Sequence, residues 1–117
     1  MRDTPIAGKL VVSKFKEREE LALKAIINSG IEFIELGFFG SYARNEYKAT
    51  SDIDILVITN TRPSRAVSGE LREELNSLGV DLVYMSTDYF TNSKSNFACK
   101  VRKDYIRRLT YEERVSY

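Results

Sequence analysis

The chain has 117 residues, a formal net charge of +1, 30% charged and 43% hydrophobic residues. That is the balance of one domain, spanning residues 1–117, with a real but modest core, and no overall field draws it to nucleic acid or a membrane surface. The single cysteine, Cys99, excludes an internal disulfide, and the complete lack of histidine removes His-activated nucleophiles, His–Cys zinc sites and imidazole proton shuttles. Any catalysis must therefore run on carboxylates, hydroxyls, basic side chains and metal ions.

Residues 1–12, with Pro5 and Gly8, read as an extended lead-in. Ser13 is placed to cap a helix reaching about Ser29, because Phe15, Ala22, Leu23, Ile26 and Ile27 recur on one helical face before the stop signal Asn28-Ser29-Gly30. Ile31 to Phe39 is apolar and β-prone and reads as a strand, broken by Gly40-Ser41. Tyr42 to Tyr47 reads as a short helix and Lys48 to Ser51 as a turn. Asp52 to Thr59 (DIDILVIT) is the clearest strand, and beyond its aspartates it is apolar on both faces, as a strand covered on both sides must be.

Ser64 to Leu78 follows as a helix with Val67, Leu71, Leu75 and Leu78 as its apolar stripe and Gly79 as its stop. Val80 to Met85 (VDLVYM) is a third strand, and Ser86 or Thr87 caps a short helix through Phe90. Asn96 to Leu109 reads as the last helix, with Cys99 as a small buried hydrophobe, and Thr110 to Tyr117 as a closing strand or tail. Phe33, Phe38, Phe39, Tyr84 and Phe90 are assigned to core or interface. The fold class is thus α/β (α+β), a mixed sheet of three to four strands with helices packed against it.

The chemistry concentrates in two places. Asp52 and Asp54 lie two apart on a strand, so both carboxylates project from the face continued by Leu56 and Ile58. Two like charges beside a buried surface repel, and a divalent cation relieves that conflict. Oxygen ligands without nitrogen or sulfur suit Mg²⁺, with Mn²⁺ as a substitute. Asp81 opens another apolar strand, and if the two strands are neighbours its carboxylate joins the pair. Three such carboxylates suit two ions about 4 Å apart, able to hold the attacking and leaving oxygens of a displacement at phosphorus.

Upstream, Gly40-Ser41 stands where a strand gives way to a helix, which presents backbone N–H groups and a hydroxyl to an anion, with Arg44 one turn further on. Singly, each feature is also an everyday strand start or helix cap. Together they read G-S-x10-D-x-D across a strand, helix and strand.

On these residues the stretch FFGSYARNEYKATSDIDILV resembles the signature of the DNA polymerase beta-like nucleotidyltransferase superfamily, in its minimal nucleotidyltransferase branch, and VDLVYM resembles the segment that brings the third carboxylate. The resemblance implies that Gly40 and Ser41 hold the β- and γ-phosphates of an NTP. It implies that Asp52, Asp54 and Asp81 bind two Mg²⁺ ions, that Asp81 also accepts the proton of the attacking hydroxyl, and that Arg44 neutralises charge as pyrophosphate leaves. Asn45 stands where the family often has glycine, and asparagine tolerates a left-handed backbone better than most residues. Ala49 replaces a common proline.

Members of this size are often paired with a small helical HEPN ribonuclease toxin, which they adenylylate on tyrosine. The implied role is therefore a protein adenylyltransferase antitoxin using ATP. The alternatives are a non-catalytic module that neutralises a partner by contact, and a transferase acting on a small molecule or an RNA end. The RNA reading draws on Lys94, Lys100, Arg102, Lys103, Arg107 and Arg108, a run that equally suits a solvated helix face. Open sheet edges make a homo-oligomer plausible. With no segment near the roughly 20 apolar residues of a membrane span and no signal-peptide pattern at the start, the expected location is cytoplasmic.

Overall fold

The computed structural model describes residues 8–117. Helix α1 spans Lys9–Asn28 and begins a turn earlier than Ser13, after Gly8, whose extended backbone caps it without a side-chain bond. Val11 and Val12 pack against the core and carry the helix back past the local start signal. The expected lead-in is therefore helical from residue 9, and its residues 1–7 lie outside the described chain. Phe15, Ala22, Leu23 and Ile26 are buried along one face, as their spacing requires.

Strand β1 is Glu35–Phe39, shorter than the run from Ile31. Ile31 and Phe33 are buried, but ladder pairing starts only near Ile34, whose N–H donates to the Ile58 carbonyl. Helix α2 is one turn, Gly40–Ala43, and not Tyr42 to Tyr47. It stops because Asn45 turns left-handed, with φ 59°. Strand β2, Ile53–Thr59, is buried along its whole length except at Asp54, which is half-buried.

Helix α3, Arg65–Ser77, is capped by the Ser64 hydroxyl, which accepts from the Val67 N–H at 3.2 Å. Gly79, with φ 77°, turns the chain into strand β3, Val80–Ser86. Short helices α4, Thr87–Asn92, and α5, Asn96–Asp104, are capped by Ser86 and Ser95.

The largest departure from the sequence pattern follows. The last helix stops at Asp104, and Ile106–Thr110 forms strand β4. The local pattern there fits a helix, but β1 has an open edge whose backbone groups need partners, and β4 supplies them while burying Leu109. The closing segment is a 3₁₀ turn, Glu112–Ser116, rather than a strand. Cys99 is exposed on α5 and not a buried hydrophobe, because the inward face of that helix is taken by Ala98 and Val101.

The sheet order is β3-β2-β1-β4, with β2 and β3 parallel and the other pairs antiparallel. One face, through Ile53, Ile55, Val57 and Leu82, packs on Phe15, Leu23 and Ile26 of α1 and Leu71 and Leu75 of α3. The opposite face carries a smaller core of Phe39, Leu56, Ile58, Met85 and Val101 beneath α5. No helix of the described residues is long and apolar enough to cross a membrane.

Gly37 marks where β4 meets β1 most closely. A β-carbon there would collide with the Ile106 carbonyl and lie 2.7 Å from the Tyr105 ring. The β1–β4 register shifts at this point. Gly37→Ala is expected to cost about 1–3 kcal/mol through overpacking, read as a fall in Tm of roughly 5 °C or more by circular dichroism.

Candidate active site

The acidic residues converge through backbone register. Asp54 pairs with Asp81 across the parallel β2–β3 ladder, so both side chains leave the same face of the sheet. Asp52 lies two residues before Asp54, just ahead of β2, and is exposed like Asp81. None of the three accepts a side-chain hydrogen bond or forms an ion pair among the described residues. The Asp54 carboxyl is pushed from its ordinary 3.8 up to about 6, first by burial, then by the charges of Asp81 and Asp52, with Arg44 opposing. The three carboxylates are thus near enough to repel, although no three potential ligands among the described residues stand close enough to form a ready-made metal cluster. An uncompensated set of hard oxygens, without nitrogen or sulfur, fits Mg²⁺ or Mn²⁺.

Gly40 and Ser41 meet this acidic group at the end of β1. Phe39 is the cross-strand partner of Asp54, so the Gly-Ser turn follows directly beside the carboxylate. Gly40 has φ 75°, and a β-carbon on it would run into the Asp54 carboxylate. Only glycine serves both demands. The turn is anchored from behind by Tyr42, whose ring lies 5.7 Å from Phe15, 5.2 Å from Phe38 and 4.9 Å from Tyr47. Its hydroxyl donates to Glu19 at 2.6 Å.

Two adjoining clefts open here. One, of about 380 Å³, is lined by Gly40, Ser41, Arg44, Asp54, Lys100 and Asp104, with Phe39, Phe97 and Val101 as its apolar wall. The other, of about 230 Å³, holds Asp54 and Asp81 together with Arg72 and Asn76, and shares Phe39 and Phe97. Wider hollows lie elsewhere: those of about 450 Å³ beside Asn60 to Ser64 and about 460 Å³ beside Tyr84 and Tyr89 hold no acidic pair, and one of about 580 Å³ along α1 holds Glu17 and Glu20 but no glycine turn or aspartate. The Gly-Ser cleft and the carboxylates are therefore the chemically coherent pair.

Gly40, Ser41, Arg44, Asp54 and Asp81 line these two clefts and Asp52 lies just ahead of β2, but Arg44 is already engaged. Its Nε donates to Glu46 at 2.9 Å and its Nη1 to Asp104 at 2.5 Å. The sequence reading missed the contribution of α5, which brings Phe97, Lys100 and Asp104 to the cleft. Their spacing places them along one helix face, but which way that face points depends on packing against Phe39 and Leu56. Two of the six residues of the basic run are engaged within the fold: Arg102 donates to the carbonyls of Phe90 and Ser93, and Arg108 pairs with Glu19 at 2.8 Å.

A glycine-serine turn set beside paired acidic strand residues suits nucleotidyl transfer, and residues 21–116 match the nucleotidyltransferase domain family. The chain belongs to that family and is a nucleotidyltransferase. It is 39% identical over 80 residues to the protein adenylyltransferase MntA of Thermococcus cleftensis, covering 66% of this chain and 72% of that protein. Its fold is similar to that of a nucleotidyltransferase crystal structure from Sulfolobus solfataricus, with TM-score 0.65 and 21% identity over 91% of this chain and 92% of the other. It is also similar in fold to a chain in the complex of a tri-AMPylated HEPN toxin with an MNT antitoxin from Shewanella oneidensis, with TM-score 0.52 and 24% identity over 79% and 69% of the two chains.

The raised pKa of Asp54 sets a direction for stability. Folding disfavours its charged form, so the penalty is absent below about pH 4, grows as pH rises and is complete above about pH 6. Asp54→Asn should therefore stabilise the ion-free protein at pH 8 by roughly 1 kcal/mol once solvent screening of this half-exposed group is discounted, read as a higher Tm. The gain should vanish near pH 4 in paired thermal melts. Gly40→Ala should lower Tm at both pH values, because the strained φ and the clash with Asp54 persist in either charge state.

Proposed function

We propose that the chain is a Mg²⁺-dependent protein adenylyltransferase that moves AMP from ATP to a tyrosine hydroxyl of a HEPN-type partner and so acts as its antitoxin. The observation that carries the transfer chemistry is the Asp54–Asp81 register beside Gly40-Ser41. The similarity to the Thermococcus cleftensis protein adenylyltransferase supports ATP as donor and a protein as acceptor. The fold shared with a chain of the HEPN–MNT complex supports the kind of partner.

In this mechanism Gly40 and Ser41 hold the β- and γ-phosphates, with backbone N–H groups and a hydroxyl as donors. Asp52, Asp54 and Asp81 would hold the Mg²⁺ ions. When bound, these ions neutralise the triphosphate and the leaving oxygens. Asp81, the more exposed of the ladder pair, takes the proton from the acceptor hydroxyl. The hydroxyl oxygen then bonds to the α-phosphorus, the bond between that phosphorus and the bridging oxygen to the β-phosphate breaks, and pyrophosphate leaves with the electron pair. Burial on the Leu56 side keeps Asp54 in a drier setting, where its charge acts more strongly.

The test is intact mass of the HEPN partner after incubation with ATP and Mg²⁺. The expected result is addition of one or more AMP groups, lost on chelation and slowed at least about 100-fold by Asp54→Asn, the scale on which electrostatic stabilisation of a transferring group is lost. A partner that stays bound yet unmodified, and is still neutralised by the Asp54→Asn protein, would instead establish neutralisation by contact alone.

A further inference from the structure

The cation set around the Gly-Ser turn is not the one expected from the motif. Three basic residues border the two clefts: Arg44, Arg72 and Lys100. Arg44 is shared between Glu46 and Asp104, so its charge is already balanced by two carboxylates. Arg72 donates to the Leu82 carbonyl at 3.4 Å and lies 5.6 Å over the Tyr84 ring, and it lines the Asp81 cleft and not the one at Gly40–Ser41. Lys100 forms no ion pair among the described residues and is exposed where it lines the Gly40–Ser41 cleft.

A triphosphate brings several negative charges into a cleft that already contains Asp54 and Asp104. Compensation has to come from a cation that is not already spoken for, at hydrogen-bonding reach of the phosphate chain. We propose that Lys100 is a triphosphate-binding residue of this nucleotidyltransferase, reaching from α5 across the cleft to the phosphates held at Gly40-Ser41. The inference rests on the nucleotide-binding role of that cleft argued above.

The placement has a mechanical basis. Phe97, Lys100, Val101 and Asp104 follow one another along one face of α5. Val101 is buried in the smaller core and fixes the helix on the sheet. Phe97 stands edge-on to Phe39 with ring centroids 6.2 Å apart, which holds the helix start beside the Gly-Ser turn. At the other end Asp104 receives Arg44, closing the helix onto α2. Lys100 lies between these anchors, its flexible stem free to extend to a point charge.

The experiment is isothermal titration of the Mg²⁺-loaded protein with ATP and with AMP, using wild type, Lys100→Ala and Lys100→Arg, with inorganic tripolyphosphate as competitor. Lys100 is exposed, so the alanine variant should keep the wild-type Tm. The expected result is about a ten-fold weaker Kd for ATP in Lys100→Ala, the loss of one charge-assisted bond, with AMP affinity unchanged and tripolyphosphate a poorer competitor. Lys100→Arg should restore most of the ATP affinity. Equal ATP affinity in wild type and Lys100→Ala overturns the role of Lys100 and leaves the nucleotidyltransferase assignment standing, as does an equal loss for AMP and ATP. A wild-type protein that binds neither ATP nor tripolyphosphate overturns this inference and the ATP-dependent function together.

Discussion

The parallel pairing of β2 with β3 is the constraint on which the site depends. It sets Asp54 beside Asp81 at the same level of the sheet, with Ile53 opposite Val80 and Ile55 opposite Leu82 fixing the register from the buried side. A slip of one residue would turn Ile53 and Ile55 out of the large core and send Asp54 into it. The repulsion between the carboxylates is therefore held in place by apolar burial on the other face. The raised pKa of Asp54 is the local cost of that arrangement.

The Gly-Ser turn is positioned by equally remote forces. Glu19 on α1 accepts from Tyr42 on α2 through one oxygen and from Arg108 on β4 through the other, at 2.6 and 2.8 Å. The same carboxylate thus ties the first helix to the turn and to the last strand. Burial and the bond to Glu19 both push the Tyr42 hydroxyl well above its usual range, so it stays a neutral donor at any pH where the protein would work. Aromatic packing of Phe15, Phe38, Tyr42 and Tyr47 fills the space behind the turn. Gly40 then brings the backbone against the Asp54 carboxylate, where any side chain would collide.

Helix α5 completes the enclosure. It covers the smaller core with Val101, walls both clefts with Phe97 and contributes opposite charges, Lys100 and Asp104, to the same cleft. Phe97 remains about half exposed at the junction of the clefts. The wall it forms is open to solvent.

Local chemistry in the sequence determined much of this. The strand ending at Thr59 announced itself by the apolar run Ile55 to Ile58, and α3 by its spacing, Ser64 cap and Gly79 stop. The grouping of Gly40, Ser41 and Asp54 was legible because turn chemistry and carboxylate spacing act over a few neighbours. What the sequence left open was decided by contacts between distant segments. Residues 106–110 became a strand because β1 needed an edge partner, although their pattern alone suits a helix. α1 began early because Val11 and Val12 found the core, and Arg44 was claimed by Asp104, which lies 60 residues away. Lys100 reached the cleft beside Gly40 and Ser41 through the packing of α5, which no periodicity encodes. Short-range propensity names the pieces, while burial, edge pairing and long-range charge decide where they meet.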